Sequence, residues 1–435
     1  MKFELPVILD GAMGTQLYKR GYTAGICPEM WTLEHRDDVV SIQRAYVDAG
    51  SQIIYTPTFG ANRTILERNR VHGKVREYNL ALASISKEAA DGRALIAGDM
   101  GPTGAMLKPL GNVTFEELVD IYTEQASALK EAGVDLFVIE TMMTVAEARA
   151  AVLAVRSVSD KPIFVSFTCG ANGRTMTGTD ICAALEIMQS MGVSAFGMNC
   201  SVGPGEMTVQ MRRLSAIAKI PLIAKPNAGL PVTEGGTTTY NVRPEEFASY
   251  VPGLVEAGVG MFGGCCGTDE TFIAALKDKL GEIEKDAAGK NGTGTEPGSC
   301  SEKLCVECAQ AGVCAVMQPA REAGLCATER DIFDLDDYPE IAETEVFECD
   351  DELEDNLLDA DPGEPVCIRF TPGDDLEAFA EAQFSVAGPL CIACEDAEVL
   401  EKVLRLYQGR AVYSGSLSAL KLAPLVKKYG LIILN

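Results

Sequence analysis

The sequence predicts an α/β protein: a (β/α)8 TIM barrel over residues 1–288, followed by a linker and a small α/β C-terminal region. Two observations carry the barrel. Through residues 1–285 a short apolar run, a turn and a longer helical stretch recur eight times. The runs are apolar throughout rather than alternating, as parallel strands covered on both faces require. A third observation sets the boundary. The rhythm stops at "KDAAGKNGTGTEPGSCSEK" (285–303), whose Gly, Thr, Lys and Pro content reads as linker.

The candidate strands are, in order, "PVILD" (6–10), "QIIYTPT" (52–58), "ALIAGDM" (94–100) and "DLFVIET" (135–141). Four more follow: "PIFVSFT" (162–168), "SAFGMNC" (194–200), "PLIAKPN" (221–227) and "VGMFGGC" (259–265). Helical stretches such as "TFEELVDIYTEQASALKEAG" and "EARAAVLAVRSV" lie between them. An open doubly wound sheet is the alternative arrangement, but eight such units fit a closed barrel.

At 435 residues, 47% hydrophobic and 23% charged, the chain has a globular composition. No apolar run is long enough for a membrane span, and "MKFELPVILDGAMGT" lacks a signal peptide's apolar core, so a cytoplasmic location is expected. The formal charge of −26 argues against a nucleic-acid surface. Neither nucleic acid nor membrane is therefore expected as a partner. Residues 329–364 hold 17 Asp and Glu against one Arg and read as a solvated acidic segment. Fifteen cysteines in a long chain without an export signal point to metal or thiol chemistry rather than a disulfide scaffold. The two histidines, His35 and His72, are too few for a His-rich metal site or a His-dependent triad.

Barrel active sites form in the loops at the C-terminal ends of the strands. Here strand 1 ends in "DGAMGT", strand 3 in "GDMGPTG" and strand 4 in "ETMM". Strand 6 ends in "NCSVGPG", strand 7 in "KPNAGLP" and strand 8 in "GGCCGT". Cys200 therefore shares a rim with Cys265 and Cys266. Adjacent cysteines seldom form a disulfide with each other, and Gly263, Gly264 and Gly267 leave little bulk to bury them. Three thiolates converging on one mouth match a zinc site with three sulfur ligands and an open fourth position, the catalytic arrangement. Cys169 and Cys182 read as inert buried thiols.

The set "LDGAMGTQL", "TFGAN", "GPTG", "IETM", "MNCS", "KPNAGLP" and "GGCCGT" resembles the homocysteine S-methyltransferase family over about residues 5–285. That resemblance implies Zn2+ held by Cys200, Cys265 and Cys266, with the sulfur of homocysteine at the open position. It further implies that Asp10 and Glu140 hold the substrate ammonium, and that the amides of Gly11 and Ala12 take its carboxylate. Asn199 and Asn227 then support these groups from behind. One departure stands out. Many relatives resembling methionine synthase read "ETNTFGA" after strand 2, where this chain has "YTPTFGAN", so Tyr55 and Pro57 replace a carboxylate and an amide.

Beyond the barrel the expected divisions are a linker and Cys-rich segment (289–328), the acidic segment (329–364) and an α/β region (365–435). Cys300, Cys305, Cys308, Cys314 and Cys326, with "CIAC" at 391–394, match no well-defined metal spacing and read as free or packed thiols. From about residue 388 the chain resembles part of a pterin-binding barrel. Ala393 and Ser414 stand where that domain carries acidic and amide residues, which argues against folate binding. The expected reaction is methyl transfer to homocysteine, giving methionine. The expected donor is methylcobalamin on a separate corrinoid protein, since no "DxHxxG" motif occurs. A donor such as S-methylmethionine or betaine is the second reading, and a noncatalytic zinc barrel binding a corrinoid protein the third.

Overall fold

The computed structural model describes residues 3–108, 110–234, 237–290 and 324–434. Eight parallel strands form the first sheet. Seven come in sequence: β1 (Val7–Ile8), β2 (Ile53–Tyr55), β3 (Leu95–Met100), β4 (Leu136–Met142), β5 (Ile163–Phe167), β6 (Ala195–Asn199) and β7 (Leu222–Lys225). An antiparallel hairpin, β8 (Pro231–Glu234) and β9 (Thr237–Tyr240), precedes the last, β10 (Val259–Phe262). The order β1-β10-β7-β6-β5-β4-β3-β2 follows the chain around a ring, with none of the reversals of a doubly wound sheet.

The ring closes between β1 and β2 through one backbone bond and two side-chain acceptors. The Gln52 N–H donates to Ile8 O at 2.7 Å, and Gln52 Oε1 accepts the Ile8 N–H at 2.8 Å. Asp10 Oδ2 accepts the Tyr55 N–H at 2.7 Å. Val7, Leu9, Ile53, Leu136, Phe164 and Met261 are among the buried residues that fill the interior. Each such side chain contributes on the order of 1.5–3 kcal/mol when fully enclosed.

The helices are encoded locally. Phe115–Ala132 starts on a reciprocal capping box between Thr114 and Glu117 and ends on Gly133 at φ 72°, a backbone conformation that glycine adopts without strain. Glu270–Lys290 runs past the expected boundary at 288 and into the stretch read as linker. Cys300, Cys305, Cys308 and Cys314 lie outside the described residues. Among those residues no helix is long and apolar enough to cross a membrane.

The acidic stretch differs from a solvated spacer. After a hairpin of β11 (Leu325–Ala327) and β12 (Ile332–Asp334), it supplies strand β13 (Val346–Glu348) and helix Leu353–Asp359, anchored by buried Leu353 and Leu357. Those apolar residues hold it down while the carboxylates face water. The C-terminal sheet therefore begins before residue 365. It is five parallel strands in sequential order: β13, β14 (Val366–Phe370), β15 (Leu390–Cys394), β16 (Val412–Ser414) and β17 (Ile432–Ile433). That order is an arc of a barrel. Cys367, Cys391 and Val412 pack on one side with Cys326 and Ile341 from the preceding segment. Cys394 belongs to the opposite packing layer, so "CIAC" splits across the sheet and clasps no metal.

Arg149, on barrel helix Val145–Val158, fastens the two parts. Its guanidinium donates to Leu404 O at 2.7 Å and Arg405 O at 3.3 Å, the last carbonyls of helix Ala397–Leu406, and to Gln408 Oε1. A cation at a helix C-terminus suits the helix dipole. Arg410 adds an ion pair to enclosed Glu186 at 2.5 Å.

Candidate metal centre

Three strand ends bring the thiols together. After β6 the backbone turns through Cys200 (φ 63°) and Ser201 (φ 56°). After β10 it turns at Gly263 and Gly264, where an added Cβ would lie 2.8 Å from Asp10 O and 2.4 Å from Thr268 Oγ1. Only glycine passes there without displacing a neighbour. The amides of Cys200 and Cys265 then bond to Lys225 O (3.1 Å) and Pro226 O (2.8 Å), and Cys266 O accepts the Ala228 N–H (2.9 Å). The loops after β6 and β10 are thus laced to β7.

The three Sγ atoms lie within 4.8 Å of one another, with Cys200 and Cys266 3.8 Å apart. A tetrahedron with ~2.3 Å metal–sulfur bonds places its sulfurs about 3.8 Å apart. All three side chains are half-buried. Hydrogen bonds from Cys265 and then Cys266 push the Cys200 thiol down to about 3. The two donors are pushed up in return: Cys265 well above the usual thiol range, and Cys266 to about 11. Negative charge is gathered on sulfur, as a soft divalent cation requires. The Asn227 side chain reaches Cys200, yet its Oδ1 is buried without a hydrogen-bond partner. Enclosed orphan oxygens are rare, and this one belongs to a side chain that bonds a thiol of the group. Among the described residues no His, Asp, Glu or further Cys joins the group. The residues fit zinc.

Charged groups cluster around the same barrel end. Lys225 Nζ sits 2.6 Å from Asp10 Oδ1 and 3.6 Å from the centre of the Tyr55 ring. Burial opposes the lysine's charge, but Asp10, Tyr55 and Glu140 outweigh it and hold its pKa well above the ordinary value. The tyrosine that replaces a carboxylate after strand 2 thus offers its ring face to a cation. Burial raises Glu140 to about 7, with Lys225 opposing and Asp10 and Cys200 adding to the rise. Burial, then Glu140, pushes Asp99 well above the carboxylate range, and its Oδ1 has no partner.

The structure separates the expected substrate contacts. Both oxygens of Asp10 are engaged, by Lys225 and by the Tyr55 amide, whereas Glu140 makes no hydrogen bond or ion pair among the described residues. Of the two carboxylates expected to hold the substrate ammonium, Asp10 is thus already bonded within the protein. The Ala12 amide donates to Thr268 Oγ1 at 3.1 Å, which takes it away from a substrate carboxylate. Gly11 is required by the Tyr46 ring, 2.6 Å from where a Cβ would stand. Asn199, wholly buried, bonds to Thr141 and Ser166 and lies 3.9 Å from Cys265 Sγ. Sequence reasoning passed over Lys225 and Thr141. A lysine closing the apolar run "PLIAK" was the available signal for the first. The φ of 63° at Thr141 left none.

The family model for homocysteine S-methyltransferase matches residues 7–280. The methionine synthase of Mycobacterium leprae (strain TN) is 34% identical over 282 residues, which is 61% of this chain and 23% of that protein. That of Mycobacterium tuberculosis is 33% identical over 294 residues, 63% of this chain and 25% of that protein. The chain thus matches only about a quarter of these relatives' length. The homocysteine methyltransferase MmuM from Escherichia coli, in its metallated form, shares the fold at a TM-score of 0.55 and 22% identity, over 63% of this chain and 96% of that one. Its oxidised form gives 0.53 and 23%, over 63% and 95%. With more than half of its length matched by the family model, the chain belongs to the homocysteine S-methyltransferase family.

Proposed function

We propose that this chain transfers a methyl group to the thiol of homocysteine, forming methionine, with Zn2+ held by Cys200, Cys265 and Cys266. The observation that carries this reading is the donor set: three converging sulfurs at a barrel mouth, with no fourth His, Cys or carboxylate among the described residues. Such a set suits a site that leaves one position for substrate. It also speaks against a purely structural zinc and the scaffold reading. The metal, when bound, supplies the Lewis acidity that keeps a thiol ionised at neutral pH. Family membership, the methionine synthase relatives and the metallated form of the fold neighbour support the assignment.

The chain's own residues position the substrate. Glu140, unpaired and half-buried, receives the ammonium. Asp10 stands as a fixed charge behind it, held by Lys225 and the Tyr55 amide. The Gly11 amide takes the carboxylate in place of Ala12. Asn227 braces Cys200, and Asn199 braces the strand ends. The substrate sulfur then attacks the methyl carbon in line, the new C–S bond forming as the bond to the donor breaks.

For the donor, the reading is a methyl-corrinoid on a separate protein. Phe59, Met106, Leu110, Met176 and Leu230, on loops after β2, β3, β5 and β7, and Val232, on hairpin strand β8 after β7, are exposed on the mouth's face. Exposed apolar groups on one face suit a docking protein better than a small onium donor. The test is to load the full chain with zinc and assay methionine formation from homocysteine. The donors to compare are a methyl-corrinoid protein, free methylcobalamin, S-methylmethionine and betaine. Turnover with the corrinoid donor is expected. Turnover only with an onium donor overturns the donor assignment, and turnover with none overturns the activity.

A further inference from the structure

We propose that Asn199 is a positioning residue that aims Glu140 at the substrate by pinning the strained residue next to it. The proposal rests on the assignment of Glu140 to the substrate ammonium. Between β4 and β5 the register shifts from Ile139↔Val165 to Met142↔Phe167, so Glu140 and Thr141 form a bulge. Bulges re-aim side chains and cluster beside active sites. Thr141 has φ 63°, a conformation that a β-branched residue enters only when its surroundings impose it.

Asn199 imposes it by a two-point clasp. Its Oδ1 accepts the Thr141 N–H at 3.0 Å, and its Nδ2 donates to Thr141 Oγ1 at 2.7 Å. Ser166 Oγ donates to the same Oδ1 at 2.8 Å, which fixes the amide's orientation from β5. Asn199 also immediately precedes Cys200, and its Nδ2 lies 3.9 Å from Cys265 Sγ. Among the described residues five non-glycine residues have positive φ; Thr141 is held by this amide, and Cys200 and Ser201 directly follow it in the chain. One side chain therefore ties the turn that carries the ammonium's carboxylate to the strand ends that carry the thiols. That link sets the span between the two ends of the substrate. It should favour homocysteine over cysteine, which is one methylene shorter.

The test measures homocysteine and cysteine binding by calorimetry, and zinc content, on the zinc-loaded full chain. Asn199→Ala is expected to keep its zinc, to weaken homocysteine binding by about tenfold or more, and to lose discrimination against cysteine. Thr141→Gly relieves the strain, because glycine adopts positive φ freely, and should bind within about threefold of the parent. In that background Asn199→Ala should cost far less. Equal loss in both backgrounds, or unchanged binding in Asn199→Ala, overturns the proposal. If Asn199→Ala does not fold, Thr141→Val removes the Oγ1 acceptor while keeping the branch. It should weaken homocysteine binding with zinc retained, and unchanged binding there also overturns the proposal. Glu140→Gln separates the two layers: if it leaves homocysteine affinity intact, the ammonium assignment itself has failed.

Discussion

Lys225 Nζ lies 2.6 Å from Asp10 Oδ1, and both side chains are almost wholly enclosed. The pair links the first barrel strand to the seventh and, through the Tyr55 amide, helps close the seam to the second. Breaking one half of a buried pair leaves the other charge uncompensated. Lys225→Met should therefore lower the unfolding free energy by about 3–5 kcal/mol in urea titrations. Lys225→Met combined with Asp10→Asn should recover most of that loss. A single variant as stable as the parent would show that the pair does not hold the seam.

Glu140 gives the site a pH dependence near neutrality. Its raised pKa, about 7, means that the charged form needed by an ammonium is present above that pH and lost below it. Homocysteine affinity should fall as pH drops through 7, approaching tenfold per unit at the acid end. In Glu140→Gln the part of this dependence that comes from the carboxylate should vanish, leaving the part that comes from ionising the substrate thiol. For the substrate-free fold the sign is opposite. The native state binds the proton more tightly than the unfolded chain, so this group's contribution to stability falls as pH rises from the ordinary carboxylate range through 7. Glu140→Gln should accordingly raise the melting temperature at pH 8 more than at pH 5.

Arg149 tests whether the C-terminal arc is a fixed part of the molecule. Burial pushes its guanidinium down to about 10, and its hydrogen bonds end on the arc's helix. Arg149→Met leaves those carbonyls unpaired and should cost about 2–4 kcal/mol of stability. Zinc content should be unchanged, because the thiols lie on other elements. Earlier proteolysis of the C-terminal region than of the barrel would mark the loosened joint.

The barrel was legible because eight apolar runs recur at helix-compatible spacing, and each became a parallel strand. The three thiols were legible because strand-end position alone places Cys200 beside Cys265 and Cys266. What escaped depended on three-dimensional neighbours. Nothing in "KPNAGLP" says that Lys225 turns inward to meet Asp10, and nothing in "IETM" says that Thr141 is strained. The Ala12 amide was expected to take the substrate carboxylate, and in the fold Thr268, more than 250 positions away, accepts its hydrogen bond. The acidic stretch misled through its charge. Its scattered apolar residues, Ile341, Val346, Phe347, Leu353 and Leu357 among them, pack it into the second sheet and its helix layer.

In the proposed site three protein sulfurs hold zinc and the substrate sulfur completes the set. X-ray absorption at the zinc edge reads this directly, on the full chain with and without homocysteine. Three sulfur neighbours at ~2.3 Å and one lighter ligand are expected in the free protein, and four sulfurs once homocysteine is added. A sulfur count that does not change on adding homocysteine would contradict this assignment.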